Sequence, residues 1–484
     1  MVNGFPSTSM AFSVGSGEFK GTPTILKLQP DGKVILGGDI TVWNGEPVGS
    51  VVRLNADGTI DSNFVANSKQ GANGVVQSIV IQTDSKIVVA GSFTRWNGEE
   101  VGRIVRLNAD GTVDRSFAAN IALGANGVIT NVALQPDGKL VVLGYFTLWN
   151  SGSSLRIVRL NADGTVDSAF REGLGCCGSN GQLRSVVVQP NGRILISGDF
   201  YYWNGVRVGG LIQLNSDGSR DNSFIGGNST DVGYGGGSIE HLAVQPDGSV
   251  LAVGTQTRWN GVSVGELVRL NSDGSLDQVF TEAVRGDLGT DARCDTAHIF
   301  SVVVNTDGKI LVIGSFTKWR GQQVGRVVRL NPDGSLDSEF VSKTGSGASA
   351  DLCGVVYQAV VDSSQQILIS GAFTKWNGIE TKPLLRLKAE GTLDKPTVTS
   401  STVTSPKVTT SKSATAKSIA TFAKLKVLST SKVKLKVVAS SSRFCRVSGT
   451  TLKGLKAGSC KVTVTVTPKK GKAISKTVTL KVTK

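Results

Sequence analysis

The stretch LNADGTVDRSF, residues 107–117, places oxygen-bearing side chains around a glycine. Asn108, Asp110 and Asp114 flank Gly111, and oxygen ligands at short intervals around a glycine are typical of a calcium-binding loop. The same letters are also typical of a tight turn, because Asn and Asp side chains bond to the backbone beside them. One interpretation predicts a metal site and the other predicts only a scaffold.

The residue two positions before Asn108 favours the turn. Calcium takes roughly six to eight oxygen ligands, but Arg106 occupies the first ligand position and no glutamate closes the loop. We therefore predict a type I turn with its glycine in a left-handed conformation, and no metal or other cofactor. The aspartates that trail each turn are predicted to anchor backbone amides between neighbouring turns: Asp61, Asp114, Asp167, Asp221, Asp277 and Asp337.

Tryptophan is the second residue type with possible chemistry. An exposed series would form sugar-stacking platforms, whereas a buried series would fill the gaps between repeated units, which we favour because the ring is large. The chain has seven tryptophans: Trp43, Trp96, Trp149, Trp203, Trp259, Trp319 and Trp376.

Enzyme motifs are scarce. The two histidines, His241 and His298, stand in no triad spacing, and we find no phosphate loop, zinc spacing or dinucleotide fingerprint. Glu240 and His241 lie in the strand-like SIEHLAV and are expected to face a pore or a core. We predict that the protein is not an enzyme.

These residues belong to a repeated unit. The LNADG phrase recurs six more times, and the tryptophans are spaced 53 to 60 residues apart, which indicates a repeat architecture. Within 76–117, three β-branched runs are separated by turns, and TVDRSF is predicted to be a short fourth strand. Four short antiparallel strands per unit predict an all-β, seven-bladed β-propeller. The seventh unit lacks the terminal Phe, and Phe12 near the N-terminus replaces it, so we expect the N-terminal segment to close the ring as the outer strand of the last blade.

The recurring phrases resemble the delta-sixty repeat of bacterial proteins over about residues 8–395. This resemblance implies a propeller and supplies no catalytic residue. Residues 396–418 are rich in Ser, Thr and Lys and are predicted to be a linker after a propeller domain of 1–395. Residues 419–484 resemble bacterial immunoglobulin-like modules, which implies a small β-sandwich, and a Cys445–Cys460 disulfide would stabilise it.

The charges are unevenly distributed. Residues 395–484 hold 20 Lys and Arg and no acidic residue, although the whole chain carries a formal charge of only +15. The C-terminal module is therefore expected to attach to a polyanionic surface, such as an acidic cell-wall polymer, rather than to nucleic acid. We predict no membrane span and no signal peptide in this chain.

The loops between units differ most from one another, at 171–182, 225–238, 281–298 and 341–354. Variable loops on a rigid scaffold are common binding sites, although neutral drift explains them equally well. The candidate ligand-binding residues are Tyr234, Arg285, Asp287, Asp291 and Arg293. Cys294 and Cys353 are a candidate disulfide, and the adjacent Cys176 and Cys177 are either paired or free.

An even number of cysteines indicates an oxidising exterior. We therefore expect an extracellular, bacterial cell-surface or phage virion protein that binds a cell-surface glycan or protein through its propeller loops, with other virion proteins as further partners. A purely structural virion or cell-surface component is the alternative, followed by a propeller glycan lyase or hydrolase.

Overall fold

The structure is a computed structural model that describes residues 14, 17–68, 70–174, 178–226, 237–290, 296–350 and 354–394, and then 408–409, 414–416, 419–420, 432–438, 442, 444–456, 458–467 and 474–483. The chain divides into two compact units, Met1–Lys395 and Pro396–Lys484.

Within the described residues of the first unit, one antiparallel motif occurs seven times: an inner strand, a middle strand and a third strand, with the middle strand between the other two. We number these sheets 1 to 7 in chain order. The inner strands are Lys20–Leu28, Val76–Ile81, Ile129–Leu134, Leu183–Val188, Ile239–Val244, Ile299–Val304 and Val355–Val361. The middle strands are Val34–Trp43, Ile87–Gly91, Leu140–Gly144, Ile194–Gly198, Val250–Gly254, Ile310–Gly314 and Ile367–Ala372. The third strands are Val51–Leu54, Ile104–Leu107, Ile157–Leu160, Leu211–Leu214, Leu267–Leu270, Val327–Leu330 and Leu384–Leu387.

The sheets close into a ring. Each inner strand contacts the inner strand of the next sheet, and the inner strand of sheet 1 contacts that of sheet 7. The amide of Leu26 in sheet 1 donates to Oε1 of Gln358 in sheet 7 at 2.7 Å. The apolar clusters lie between neighbouring sheets, so both faces of each middle strand are covered, and a strand such as Ile87–Gly91 is buried along its whole length. The prediction of an all-β propeller is confirmed.

A short hairpin follows each middle strand and carries the repeated tryptophan. In sheet 1 the end of the middle strand itself pairs with Glu46–Pro47. The other hairpins pair Arg95–Trp96 with Glu99–Glu100, Leu148–Trp149 with Gly152–Ser153, Tyr202–Trp203 with Val206–Arg207, Arg258–Trp259 with Val262–Ser263, Lys318–Trp319 with Gln322–Gln323, and Lys375–Trp376 with Ile379–Glu380. Leu288–Gly289 and Ala348–Ser349 add a strand to the last two hairpins.

The predicted fourth strand is wrong, because the segment that ends the repeat forms a helix instead in sheets 1, 2, 3, 5 and 6. Only an isolated bridge remains of the strand, such as the one between Leu107 and Val113. Asp114 then caps a helix by accepting a hydrogen bond from the amide of Phe117 at 3.3 Å, which starts the helical turn. The helices are α1 (Ser62–Ser68), α2 (Arg115–Ile121), α3 (Ser168–Gly173), α4 (Gln278–Val284) and α5 (Ser338–Thr344).

The expected ring closure by an N-terminal outer strand stays a prediction, because Phe12 lies outside the described residues. Sheet 7 has the same bridge as the other sheets, between Leu387 and Leu393. Of the described N-terminal residues, Val14 is buried in a cluster shared by sheets 7 and 1. The amide of Gly17 donates to Oδ1 of Asn44 at 2.7 Å.

The described residues of the second unit form two sheets around one apolar core. One sheet contains, in spatial order, Val408–Thr409, Ile474–Thr483, Gly458–Thr467 and Lys432–Val437. The other contains Ala414–Thr415, Thr451–Gly454 and Cys445–Ser448. A disulfide joins Cys445 in one sheet to Cys460 in the other, which confirms the predicted pair. The stretch predicted as a linker thus contributes strand residues from Val408 onward.

Candidate functional site

The two ends of the ring differ in chemistry. Each inner strand runs towards a turn such as Gln82–Lys86, and each third strand runs towards a turn such as Asn108–Thr112. Because the strands pair antiparallel through the middle strand, both turns lie at the same end of the sheet. We call this the turn end. The inner strands begin at the opposite end, which receives the segments from the preceding unit, and we call it the loop end.

The repeated polar residues form a structural network at the turn end. In sheet 2, Arg106 binds Oδ2 of Asp114 through Nε at 3.0 Å and Nη2 at 2.9 Å. Its Nη1 donates to the carbonyl of Ala162 in the next sheet, and its guanidinium lies 4.4 Å from the centre of the Phe117 ring. One arginine therefore joins its own sheet, the following helix and the neighbouring sheet. The same arginine–ring contact occurs at Arg53, Arg159, Arg269 and Arg329.

The side-chain oxygens that resemble calcium ligands take part in hydrogen bonds within the turn. Oδ1 of Asp110 accepts from the amide and the hydroxyl of Thr112 at 3.0 and 2.7 Å, and Nδ2 of Asn108 donates to the same hydroxyl at 3.0 Å. Gly111 has a φ of 92°, the left-handed conformation predicted for the turn. In the part of the chain that the structure describes, no group of three or more acidic, His or Cys side chains is placed to hold a metal.

The trailing aspartates bind within their own unit, not between neighbouring turns as we expected. In sheet 6, burial raises the pKa of Asp337, but hydrogen bonds from Lys309, the Phe340 amide and Arg329 outweigh it and lower the pKa to about 2. The carboxylate is therefore ionised at neutral pH and holds the helix start and the turn together.

The tryptophans are placed as packing residues. All seven side chains are buried, with exposed fractions of 0 to 5%. Trp96, for example, lies in a cluster with Val51 and Phe64 of the preceding unit and meets the edge of Phe93 at 5.8 Å between ring centres. Buried rings offer no face to a sugar, so these residues are not stacking platforms.

The loop end differs from sheet to sheet. In sheets 2 to 7 the pairing of the inner strand with the middle strand skips one residue near the strand start, which is a β-bulge. Sheet 1 has an equivalent shift between Pro23 and Ile25. The skipped residues are Thr24, Gln77, Thr130, Arg184, Glu240, Phe300 and Tyr357. We call these seven residues the bulge ring: they occupy one structural position and have different chemistry.

Two pairs of neighbours in the bulge ring contact each other across adjacent sheets. Because the bulge ring lies on the inner strands, it borders the central channel at the loop end, and we call this opening the mouth. Nη1 of Arg184 lies 3.3 Å from Oε2 of Glu240, and Nη2 of Arg184 lies 3.4 Å from Oδ2 of Asp199. Ser238 donates its hydroxyl to the other carboxylate oxygen of Glu240. In sheets 6 and 7, Phe300 and Tyr357 lie 5.4 Å apart between ring centres. The mouth thus has an ionic part and an aromatic part.

A carboxylate–imidazole pair stands beside the aromatic part. Oε1 of Glu266 lies 3.1 Å from Nδ1 of His298, and Oε2 accepts from the Ile299 amide at 2.8 Å. Burial raises the pKa of Glu266 above its usual value. The ring of His298 lies 6.5 Å from that of Phe300. The equivalent residue is an arginine in sheets 2, 3 and 6 (Arg103, Arg156 and Arg326), so Glu266 reverses the charge found at this position in those sheets.

Two of the predicted binding residues are described, and both are exposed. Arg285 ends α4 and pairs with Glu282 at 3.2 Å, and Asp287 immediately precedes the strand Leu288–Gly289. The structure does not bring them together with the bulge ring. The other predicted binding residues, Tyr234, Asp291 and Arg293, lie outside the described residues, as do Cys176, Cys177, Cys294 and Cys353.

Sequence reasoning missed most of this site. Arg184, Glu266, Phe300 and Tyr357 received no role, and His298 was set aside for want of a triad. The available signal was the deviation of these residues from the repeat. Glu240 and His241 are both on an inner strand, as the pattern SIEHLAV indicated, and Glu240 lies at the mouth.

A ring of antiparallel sheets with one repeated network and a variable channel mouth defines a β-propeller repeat protein. Six segments of the chain match the family model described as "Domain of unknown function (DUF5122) beta-propeller": 29–64, 82–117, 135–170, 189–224, 245–280 and 306–340. Each segment runs from the end of an inner strand to the capped helix or its equivalent. A search of curated proteins found no match.

Several solved structures resemble the chain at low identity. One structure of the extracellular domain of the BT4673 system from B. thetaiotaomicron is 11% identical, with 97% of this chain and 57% of that chain covered and a TM-score of 0.42. Another is 12% identical, with 73% and 37% covered and a TM-score of 0.40. YCF48 from Cyanidioschyzon merolae is 16% identical, with 63% and 95% covered and a TM-score of 0.30. The chain spans less than two thirds of both BT4673 structures. The propeller assignment rests on the sheets themselves and on the family match.

Proposed function

We propose that this protein is a non-enzymatic extracellular binding protein. A seven-bladed propeller presents the loop end of its channel to a cell-surface ligand, and a basic, immunoglobulin-like C-terminal module attaches the protein to a polyanionic surface. The observation that carries the proposal is the bulge ring: seven equivalent positions that hold six different residue types, above a network that repeats almost unchanged.

The mouth offers the contacts that a glycan or a polar protein surface needs. Phe300 is 37% exposed, and its contact with Tyr357 creates an aromatic surface beside polar groups. Arg184 and Glu240 are about a third exposed and present both a donor and an acceptor. A few polar groups placed around an apolar surface are typical of small-ligand sites.

The extracellular location is supported by the C-terminal disulfide, because such bonds persist in oxidising surroundings. Among the described residues, no helix has the length and apolar character needed to cross a membrane. A cell surface and a phage virion both fit this chemistry. A purely structural component of either would show no binding at the mouth.

One strand of the second unit carries a row of exposed lysines. Along Lys432–Val437 the lysines are exposed while Val433, Leu435 and Val437 are half-buried, because strand side chains alternate between faces. Lys432, Lys434 and Lys436 pair with Thr467, Thr465 and Thr463 of the next strand. This row of charges suits a polyanion, and its attraction should weaken with salt. We expect K432Q/K434Q/K436Q to release the protein from anionic vesicles or teichoic acid at lower salt than the parent protein, and equal salt profiles would contradict the attachment role.

An enzyme remains the other class to test, because Glu266 has a raised pKa beside His298. Both oxygens of Glu266 are already engaged, by the imidazole and by the Ile299 amide, which favours a positioning role over proton transfer. Release of reducing ends or unsaturated products from a polysaccharide panel would overturn the non-enzymatic proposal.

A glycan array tests the binding proposal, with Arg184→Gln and Phe300→Ala as mouth variants. Arg258→Gln is the matched control, because Arg258 is exposed on a hairpin away from the bulge ring. We expect the mouth variants to lose array binding and the control to keep it. Binding that survives both mouth variants would refute the role of the mouth.

A further inference from the structure

Sheet 4 departs from the repeat beside its third strand. Gln213 stands where the other six sheets have an arginine, and Nε2 of Gln213 donates to Oδ2 of Asp221 at 2.9 Å. Among the described residues that follow Asp221, there is no helix. The amide of Ile225 donates instead to the carbonyl of Asp273, in the turn of sheet 5, at 2.7 Å. A shorter side chain and a different chain path leave space beside this third strand.

That space is a cavity of about 290 Å³. It is lined by the hairpin residues 206–208, the third-strand residues 211–213 and the segment 220–226. The corresponding cavity in sheet 3 is about 170 Å³, and it is lined in part by Phe170 of α3 and by Leu174. Pockets that bind small ligands have volumes from roughly 300 Å³ upward. The cavity of sheet 4 therefore suits a ligand of about the size of one monosaccharide.

Two of the lining residues are arginines that have no counterpart in the other sheets. Arg220 forms a bridge with Leu214, and the equivalent residues of the other six sheets are isoleucine, valine or leucine, such as Val166 in sheet 3. Arg207 pairs with Tyr202 on the hairpin, and the equivalent residues elsewhere are proline, glutamate, serine or glutamine. Sheet 4 thus places two positive charges where the repeat has none.

The part of the chain that the structure describes does not neutralise these two charges. Within it, neither Arg207 nor Arg220 forms an ion pair. The carboxylate of Asp221 also lines the cavity, but it already binds Gln213 and lies 3.1 Å from Nη1 of Arg193. The cavity is therefore positively charged. Guanidinium groups bind carboxylates through paired, charge-assisted hydrogen bonds.

The other lining side chains suit a hydroxylated ring. Asn222 is exposed and offers an amide donor and acceptor, while Val206 and Phe224 add apolar surface. We propose that this cavity binds an acidic sugar, that is, a monosaccharide unit that carries a carboxylate. Arg207 and Arg220 hold the carboxylate, and Asn222 bonds to the ring hydroxyls. The site is separate from the bulge ring and goes beyond the ligand proposed for the mouth.

Calorimetric titration of the full chain with glucuronate, and with glucose and acetate at the same ionic strength, tests the site. We expect glucuronate to bind at least about tenfold more tightly than glucose or acetate, because it alone combines the charge with the ring. Arg220→Leu introduces the residue of sheets 5, 6 and 7, and Arg207→Ser that of sheets 3 and 5, so both variants should fold. Each should weaken glucuronate binding by about tenfold or more, through the loss of a charge-assisted contact.

Arg258→Gln is the matched control, because Arg258 is exposed on the hairpin of sheet 5. It should bind glucuronate as the parent does, which separates the cavity from weak binding to exposed basic residues. The mouth variant Arg184→Gln should also keep this binding, so failure of the mouth and failure of the cavity can be told apart. Equal affinities of the parent and Arg220→Leu, equal affinities of the parent for glucuronate and for glucose or acetate, or no binding of glucuronate would overturn the proposal.

Discussion

Replacing Arg106 by leucine should show how strongly the turn-end network holds neighbouring sheets together. The Arg106 and Asp114 side chains are only 8% and 7% exposed. The change removes both bonds to Asp114, the bond to the Ala162 carbonyl and the contact with Phe117. It leaves a buried carboxylate whose remaining cation is Lys86, with Nζ at 2.9 Å.

The magnitude follows from these contacts. Removing one partner of a buried ion pair costs about 3–5 kcal/mol, and the bond from Lys86 favours the lower end, about 3 kcal/mol. Sheet 4 supplies a milder substitution, because Gln213 stands at the arginine position and donates to Asp221 at 2.9 Å. Arg106→Gln should therefore keep one bond to Asp114 and lose the ring contact and the bond to the next sheet, at a cost of about 1–2 kcal/mol.

Urea unfolding of the full chain at pH 7, followed by tryptophan fluorescence and circular dichroism, measures these costs. Arg95→Leu is the control, since Arg95 is 54% exposed and pairs with an exposed glutamate, and it should change the free energy of unfolding by less than about 1 kcal/mol. If Arg106→Leu costs no more than Arg95→Leu, the network does not carry the stability assigned to it.

Three further predictions concern stability. The pKa of Asp337 is about 2 in the folded protein, so its ionised form stabilises the fold above about pH 4. This contribution of about 2 kcal/mol is lost as the pH falls towards 2. In urea titrations, the free energy of unfolding of Asp337→Asn should therefore fall less with acid than that of the parent, and an unchanged pH dependence would contradict the lowered pKa. Gly124→Ala should lower Tm far more than Gly98→Ala. Both glycines have a positive φ, but only at Gly124 would a Cβ lie 2.5 Å from the facing backbone. Equal decreases of Tm in the two variants would show that this close contact does not destabilise Gly124→Ala. The Cys445–Cys460 disulfide closes a separation of 15 residues, so its reduction should cost about 3 kcal/mol. Reductant should therefore lower the Tm of the C-terminal unit in the parent protein. It should not change the Tm of a Cys445→Ser/Cys460→Ser variant, which has no disulfide to reduce.

The repeat made much of the architecture predictable. Turns such as the one around Gly111 and β-branched runs such as Ile87–Gly91 are local, so their residues determine them directly. The end of the repeat was less predictable, because Asp114 supports both a turn and a helix cap. Packing favours the helix, because the helix places the Phe117 ring against the guanidinium of Arg106.

The candidate site was the least predictable part. A bulge displaces one residue, such as Tyr357, out of the pairing, and the alternation of apolar residues does not reveal where this happens. Arg184 and Glu240 lie in different sheets, so they form an ion pair only because the ring places these sheets side by side. Differences between the repeats correctly suggested where to look for function. The most visible differences are in the long loops, however, and the candidate site lies on the inner strands.

We propose that the variable channel mouth, and not the exposed surface in general, recognises the ligand. The most direct test compares the affinity of Tyr357→Ala with that of Tyr202→Ala for the strongest glycan found on the array. Tyr202 is 41% exposed on a hairpin and serves as the matched aromatic control. We expect Tyr357→Ala to lose affinity by about tenfold or more and Tyr202→Ala to lose none. Equal affinities of the two variants would contradict it.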